Sequence, residues 1–130
     1  MNQKELELIN KAKDSFSKKK FDQALIFYTD AININPSNSL TFFERGKVYE
    51  RLRKNNLAYT DYCKSIELNS SFAEALKYKG DILNKNKKYN LAIEDYSKAL
   101  MINPKLVSAY NNRGLAKKMI NDLSGAAEDF

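Results

Sequence analysis

Residues 80–104 read GDILNKNKKYNLAIEDYSKALMINP, and this stretch predicts two helices joined by a short turn. In its second half Ala92, Tyr96 and Ala99 follow at steps of three and four residues, which is typical of one face of an amphipathic helix. The polar run 85–88 separates this helix from an earlier one. The stretch therefore predicts a helix–turn–helix unit.

The same pattern recurs through the chain at a step of 34 residues. Gly46, Gly80 and Gly114 occupy one such register, and Ala12 lies one step before them. The other registers that repeat at this step are Ala24, Ala58, Ala92 and Ala126; Tyr28, Tyr62, Tyr96 and Phe130; Ala31, Ser65 and Ala99; Ile34, Leu68 and Ile102; and Pro36, Ser70 and Pro104. Since these registers agree without an insertion, the chain is an internal repeat of two-helix units.

Proline marks the end of each second helix. Pro36 and Pro104 lack an amide hydrogen and restrict the residue before them, so these helices end at Asn35 and Asn103 at the latest. The polar residues 37–39 offer side-chain oxygens that can cap the next helix. The expected helices are 5–17, 21–35, 39–53, 56–69, 73–86, 89–103, 107–120 and 123–130.

The small residues have a packing interpretation. Gly46 on a first helix and Ala58 on a second helix are expected to let the two backbones approach, with Tyr62 and Leu68 filling the space beside them. Glycine inside a helix costs about 1 kcal/mol relative to alanine, so its recurrence at one register implies a compensating contact. No glycine-rich loop surrounds these positions, and we assign them no phosphate-binding role.

Composition limits the function classes. The chain has 130 residues, which is the size of one domain, and 22 Lys and Arg against 16 Asp and Glu give a net charge of +6. With one Cys and no His, the sequence excludes an internal disulfide, a Ser-His-Asp triad, a Cys-His pair and the commonest zinc sites. No nucleophile–base pair or metal-ligand set is left, so we expect neither an enzyme nor a cofactor.

The first residues, with charges at Lys4, Glu5 and Glu7, do not read as a signal peptide. No stretch approaches 18 consecutive apolar residues. We therefore expect a cytoplasmic protein without a membrane segment.

A 34-residue helix–turn–helix unit with these small, aromatic and proline registers resembles the tetratricopeptide repeat (TPR). The resemblance covers residues 5–130, with Ser70 in place of the expected proline and no glycine in the turn between the two helices of a unit. It implies an all-α fold, an α-solenoid of stacked antiparallel helix pairs that wind into a superhelix. It also implies a concave groove lined by the first helices, no catalytic activity, and a protein or peptide partner.

In these terms the chain is a single array over residues 1–130. Its repeats are 5–38, 39–72 and 73–106, followed by an incomplete repeat 107–130. Solenoids normally end in a polar cap, so we expect either a longer natural array or a second chain to cover the last apolar side chains, which are Leu123, Ala126, Ala127 and Phe130.

Register by register, the resemblance places a set of side chains on the concave face. The candidate partner contacts are Asn10, Lys13, Phe43, Glu44, Lys47, Arg51, Lys77, Tyr78, Asp81, Asn111 and Asn112. Phe43 and Tyr78 would be aromatic anchors, and the alternative for both is packing against neighbouring repeats.

Some TPR co-chaperones bind the acidic C-terminal tail of heat-shock chaperones with a two-carboxylate clamp of Lys, Asn and Arg residues. Here the corresponding positions hold Ile9 and Lys13, then Glu44, then Glu74 and Tyr78. Two acids would repel a carboxylate tail, so we expect this partner class to be excluded.

Basic residues cluster in the turns within the repeats. The clusters are Lys18, Lys19 and Lys20; Arg51, Arg53 and Lys54; Lys85, Lys87 and Lys88; and Lys117 and Lys118. Stacked repeats would bring these clusters to one edge of the array. This basic edge is either only a solvated surface or a surface that attracts an acidic partner. RNA is a further alternative, but no pair of base-reading side chains recurs at the 34-residue step.

The leading hypothesis is a protein-interaction scaffold that binds a peptide or helix in the groove. The first alternative is an assembly element that docks through the C-terminal end of the array, and the second is RNA binding along the basic edge. Cys63 is interpreted as a packed thiol, and Glu94 with Lys98 as an ordinary ion pair on one helix.

Overall fold

The computed structural model of the chain describes residues 1–120. Every regular element in that part of the chain is an α-helix, as the sequence predicts. The helices are α1 (Gln3–Ser17), α2 (Phe21–Ile34), α3 (Ser39–Arg51), α4 (Asn55–Leu68), α5 (Ala73–Lys85), α6 (Tyr89–Ile102) and α7 (Val107–Met119). The eighth expected helix, 123–130, and the side chains expected to be left uncovered on it lie outside the described residues. No helix in this range is long and apolar enough to cross a membrane.

The helix ends follow local capping chemistry. Helix α1 begins two residues earlier than predicted because the Asn2 side chain accepts hydrogen bonds from the amides of Lys4 and Glu5, at 2.8 and 3.2 Å. The predicted capping segment before α3 is confirmed, since Asn38 accepts from the Leu40 amide at 3.1 Å.

The turn inside each helix pair has a residue in the left-handed backbone region. Lys19, Arg53 and Lys87 have φ values of 60°, 59° and 63°, and α3 therefore ends at Arg51 rather than at the predicted residue 53. In the first turn the Lys19 amide donates to the Phe16 carbonyl at 2.9 Å and the Lys20 amide donates to the Ser15 carbonyl at 2.8 Å. This pair of bonds is the Schellman motif, usually made with glycine, and it repeats in the other two turns.

The chain divides into two compact units, Met1–Ser70 and Ser71–Phe130. In the first unit α1 packs against α2, α2 against α3, and α3 against α4. In the second unit α5 packs against α6 and α6 against α7. The boundary falls beside the predicted boundary between the second and third repeats, and a single array over residues 1–130 stays a prediction.

The repeated small residues and tyrosines form the cores of the units. The alanines Ala12, Ala24, Ala58 and Ala92 are fully buried, and so are the tyrosines of the repeated register, Tyr28, Tyr62 and Tyr96. The tyrosine predicted beside the glycine register lies there, with its ring directly against the glycine. A Cβ atom on Gly46 would lie 2.5 Å from Cε1 of Tyr62, and one on Gly80 would lie 2.9 Å from Cε1 of Tyr96.

Candidate functional site

In the first unit three of the predicted contacts on α1 and α3 lie around one small cavity. Asn10 and Lys13 reach it from α1 and Glu44 reaches it from α3. Burial, and then the negative charge of Glu44, raise the pKa of the Tyr28 phenol, which also lines this cavity. The structure therefore brings three of the predicted contact residues together.

Lys47 lies one turn further along α3. Its ammonium is 3.3 Å from the Glu44 carboxylate and 5.0 Å from the centroid of the Phe43 ring. Phe43 itself is only 2 % exposed, and its ring centroid lies 5.8 Å from that of Tyr62. Phe43 is therefore packed inside its own repeat, whereas the predicted alternative was packing against a neighbouring one, and Lys47 and Glu44 are the more accessible groups.

Arg51 is set apart from these two groups. Its guanidinium carbon lies 5.5 and 5.8 Å from the ring centroids of Phe16 and Phe21, which contact each other edge to face. These rings flank the turn between α1 and α2. Arg51, the last residue of α3, therefore covers this aromatic pair.

In the second unit three of the predicted contacts, Lys77, Asp81 and Asn112, form one polar cluster. The Lys77 ammonium is 2.7 Å from the Asp81 carboxylate and 4.7 Å from the centroid of the Tyr78 ring. Asp81 also accepts hydrogen bonds from the Asn112 amide at 2.8 Å and from the Tyr96 hydroxyl at 2.5 Å. Burial, together with the Asp81 carboxylate, raises the pKa of the Tyr96 phenol, so Tyr96 is a neutral donor in this cluster.

The polar groups on α5 and α7 are half-buried and Tyr96 is fully buried, whereas Asn111, the neighbour of Asn112 on α7, is exposed. The cluster thus fixes Lys77, Asp81 and Asn112 in place and leaves Asn111 facing solvent.

Sequence analysis missed an ion pair that joins the two helices of a repeat. Arg45 on α3 donates to both oxygens of Asp61 on α4 at 2.8 Å, and its third nitrogen lies 3.4 Å from the Thr29 hydroxyl on α2. The matching pair in the second unit is Lys79 and Asp95, at 3.4 Å. The signal was available, because a basic residue and an acid recur together at the 34-residue step.

Burial dominates the electrostatics of these acids. It raises the pKa of Asp61 against the opposing effect of the Arg45 guanidinium, and it raises the pKa of Asp95 against that of Lys79. The hydrogen bond to Asp61 in turn raises the pKa of Arg45. These pairs hold helices together and do not resemble an acid–base dyad.

The predicted basic clusters lie at exposed turns. Lys19, Lys20, Arg53 and Lys54 of the first unit are exposed, and so are Lys87 and Lys88 of the second. Lys18 forms a surface ion pair with Asp14 at 3.1 Å. A single basic edge that joins all the turns stays a prediction.

Two smaller predictions concern helices α4 and α6. Lys98 and Glu94 form the expected pair one turn apart, at 3.2 Å. Cys63 is a half-buried free thiol. Within residues 1–120 no group of three or more His, Cys, Asp or Glu side chains is arranged to hold a metal ion.

Two family models match the chain. A model described as "TPR repeat" matches residues 80–120, and one described as "Tetratricopeptide repeat" matches residues 41–72. Among curated proteins, Hsc70-interacting protein 1 of Drosophila melanogaster is 36% identical over 55 residues. That match spans 42% of this chain and only 15% of the relative.

Solved structures match over most of the chain. The first TPR of Spaghetti (RPAP3), bound to the HSP90 peptide SRMEEVD, has a TM-score of 0.89 and 27% identity, covering 93% of this chain and 96% of that one. The second TPR domain of human RPAP3, in complex with the HSP70 peptide SGPTIEEVD, has a TM-score of 0.82 and 23% identity, covering 88% of this chain and 95% of that one. At that lower identity the second match shows the fold alone.

Proposed function

This chain belongs to the tetratricopeptide repeat family and has its all-α solenoid fold, and we propose that it is a non-enzymatic scaffold that binds a partner polypeptide along the first helices of its repeats. The observation that carries the proposal is a pair of half-exposed polar clusters on those helices. They are Glu44 with Lys47 on α3, and Lys77 with Asp81 and Asn112 on α5 and α7. The peptide-bound Spaghetti TPR, 27% identical to this chain, supports the same class of function.

In each cluster the lysine already contacts an acid and an aromatic ring of its own helix. Lys47 is held by Glu44 and by the Phe43 ring, and Lys77 is held by Asp81 and by the Tyr78 ring. Because immobilising a free lysine side chain opposes binding by roughly 0.5–1.5 kcal/mol, prior ordering favours association. The exposed amides of Asn10 and Asn111 add donors and acceptors for a peptide backbone.

Partner capture tests the proposal directly. We expect Lys47→Glu and Tyr78→Ala to abolish capture of the native partner by the immobilised full chain while leaving helicity by circular dichroism unchanged. Lys64→Glu is the matched control, because it makes the same charge change on α4, where Lys64 forms a surface ion pair with Glu67 at 3.6 Å. If both test variants capture the partner as well as the control does, the proposed face is wrong.

We also propose that the partner is not the acidic tail of a heat-shock chaperone. Glu44 in the first unit and Glu74 in the second stand where the clamp requires neutral or basic groups, and like charges disfavour binding. In fluorescence anisotropy we expect no saturable binding of labelled SRMEEVD to this chain, with the Spaghetti TPR as the positive control. Binding of this peptide with an affinity like that of the control would overturn this exclusion. We further propose that the chain works in the cytoplasm.

A further inference from the structure

Two exposed basic turns lie side by side in the first unit. Leu52, from the turn between α3 and α4, lines the same surface depression as Lys19 and Lys20 of the turn between α1 and α2. The Arg51 guanidinium reaches across to the aromatic pair beside that first turn. The exposed cations of the two turns form what we call the basic patch, whose members are Lys19, Lys20, Arg51, Arg53 and Lys54.

The charge of the basic patch is not balanced by neighbouring acids. None of its members forms an ion pair with an acid in residues 1–120, whereas Arg45 and Lys47 of the same unit each contact one. Lys18, beside the patch, is already paired with Asp14, and Asp22 is an acid that lines the depression. The patch is therefore a local excess of positive charge at one end of this unit.

Local chemistry does not favour cations at these positions. Lys19 and Arg53 have a left-handed backbone, which glycine adopts without steric cost and other residues seldom adopt. Lys20 and Lys54 are the N-cap residues of α2 and α4, and neither makes a side-chain cap hydrogen bond. N-cap positions prefer Ser, Thr, Asp or Asn, and the positive end of the helix dipole repels a cation there.

The helix dipoles do not explain the cations either. A charge at Lys19 gains from the negative end of α1, but the charge at Lys20 loses by the same effect at the positive end of α2. The same departure recurs in the second unit at Lys87, which is left-handed, and at Lys88, which is an N-cap residue. Departures from local preference without a structural gain are typical of functional sites, and here they point to a negatively charged ligand.

The position of the basic patch favours a polypeptide as that ligand. Lys13 on α1 and Lys47 on α3 belong to the face proposed for the partner, and the patch begins where these two helices end. A single-stranded nucleic acid would need open aromatic faces on which its bases stack. The rings of Phe16 and Phe21 are half-buried and covered by Arg51, so they offer no such faces.

Resting on the proposed function, we infer that the basic patch binds an acidic segment of the partner polypeptide, next to the part held on α1 and α3. The segment needs a run of Asp or Glu residues rather than one sequence, because exposed lysines act as point charges. The peptide SRMEEVD carries an arginine beside its short acidic stretch, so it does not supply such a run.

The probes are fluorescently labelled decaglutamate, a neutral glycine–serine peptide of the same length, and decathymidylate. Fluorescence anisotropy follows the titration of each probe with the full chain. We expect saturable binding of decaglutamate that weakens roughly tenfold between about 50 and 300 mM NaCl, weaker binding of decathymidylate, and none of the neutral peptide. Absent or salt-insensitive binding of decaglutamate would overturn the inference, and so would decathymidylate binding that is equally tight or tighter, which would assign the patch to nucleic acid.

Two double variants locate the binding. Lys19→Gly with Arg53→Gly suits the left-handed turns, so it should melt at least as high as the wild type and yet bind decaglutamate about fivefold more weakly. Lys4→Gln with Lys64→Gln removes the same charge from other exposed or half-buried positions of this unit and should bind like the wild type. Equal affinities of the two variants would refute the patch as the binding site. A lower melting temperature of the glycine variant would show that the cations stabilise the turns, and would overturn the argument from local chemistry.

The probes need no native partner, so this test and that of the proposed function fail separately. If Lys47→Glu abolishes partner capture but decaglutamate does not bind, the proposed function stands and the inference about the basic patch is wrong. If decaglutamate binds as expected but neither Lys47→Glu nor Tyr78→Ala changes capture, the patch stands and the contacts proposed on the first helices are wrong.

Discussion

Gly46 faces the ring of Tyr62, and the ring occupies the place that a side chain would take. Tyr62 is fully buried, and its hydroxyl donates to the Glu50 carboxylate at 2.6 Å, so the ring has little freedom to move away. The equivalent contact of Gly80 with Tyr96 is looser by several tenths of an ångström. One register of the repeat therefore tolerates a methyl group to different degrees in different copies.

We predict that Gly46→Ala lowers the free energy of unfolding and that Gly80→Ala lowers it less. Overpacking a core costs about 1–3 kcal/mol, and the helix propensity of alanine offsets about 1 kcal/mol of this. Urea unfolding followed by circular dichroism measures both variants. A stabilised Gly46→Ala, or the reverse ranking, would contradict the contact with Tyr62.

At the scale of elements, an ion pair joins the two helices of a repeat, and its hydrogen-bond geometry differs between the units. Arg45 meets Asp61 through two short bonds at 2.8 Å, whereas Lys79 approaches Asp95 only to 3.4 Å and leaves one carboxylate oxygen of Asp95 without a hydrogen bond within the described residues. The guanidinium is planar and presents a fork of donors that matches a carboxylate, while the ammonium acts as a point charge.

Exchanging the two cations should therefore have opposite effects. We predict that Lys79→Arg raises the free energy of unfolding by about 1 kcal/mol, because it completes the bonding of Asp95. Arg45→Lys should lower it by about 1–2 kcal/mol, since it removes a bidentate bond and the contacts of Arg45 with the rings of Phe42 and Tyr49. Thermal and urea unfolding check both, and effects of the same sign would contradict the advantage assigned to the guanidinium at these two positions.

The elements themselves could be predicted from the sequence, because apolar spacing, proline positions and capping side chains are local signals. The details of the site could not. The spacing does not show that the ring of Phe43 turns inward against Tyr62 while Lys47 stays accessible. By their register in the repeat, both residues are predicted to lie on the same concave face. The pairs Arg45–Asp61 and Lys79–Asp95 are visible in the sequence as a recurrence at the 34-residue step. Their contribution to stability depends on how deeply they are buried, and burial is determined by the packing of the helices.

On the scale of the whole molecule, buried phenols repeat along the chain in both units. Burial raises the pKa of Tyr28 and of Tyr96 above the ordinary value of 10.0. A raised pKa in the folded state means that the unfolded chain loses these protons first. Their contribution to stability is therefore full below pH 10 and is lost as the pH rises above it.

We predict alkaline unfolding that begins above about pH 10. Each of these two phenols should lower the free energy of unfolding by about 1.4 kcal/mol per pH unit in that range. Urea unfolding at several pH values gives the slope, and tyrosinate absorbance reports ionisation. Tyr28→Phe and Tyr96→Phe should each reduce the slope, and an unchanged slope in both would show that these rings do not control it.

The left-handed turns at Lys19, Arg53 and Lys87 have a consequence for how the chain reaches this structure. Each one closes a hairpin between two helices that are neighbours in sequence, with two backbone hydrogen bonds inside the turn. Closing so short a loop takes well under a microsecond, whereas pairing distant segments requires a slow search. Folding of each hairpin should thus be limited by helix growth and side-chain packing, and hardly at all by the time that its two helices need to find each other.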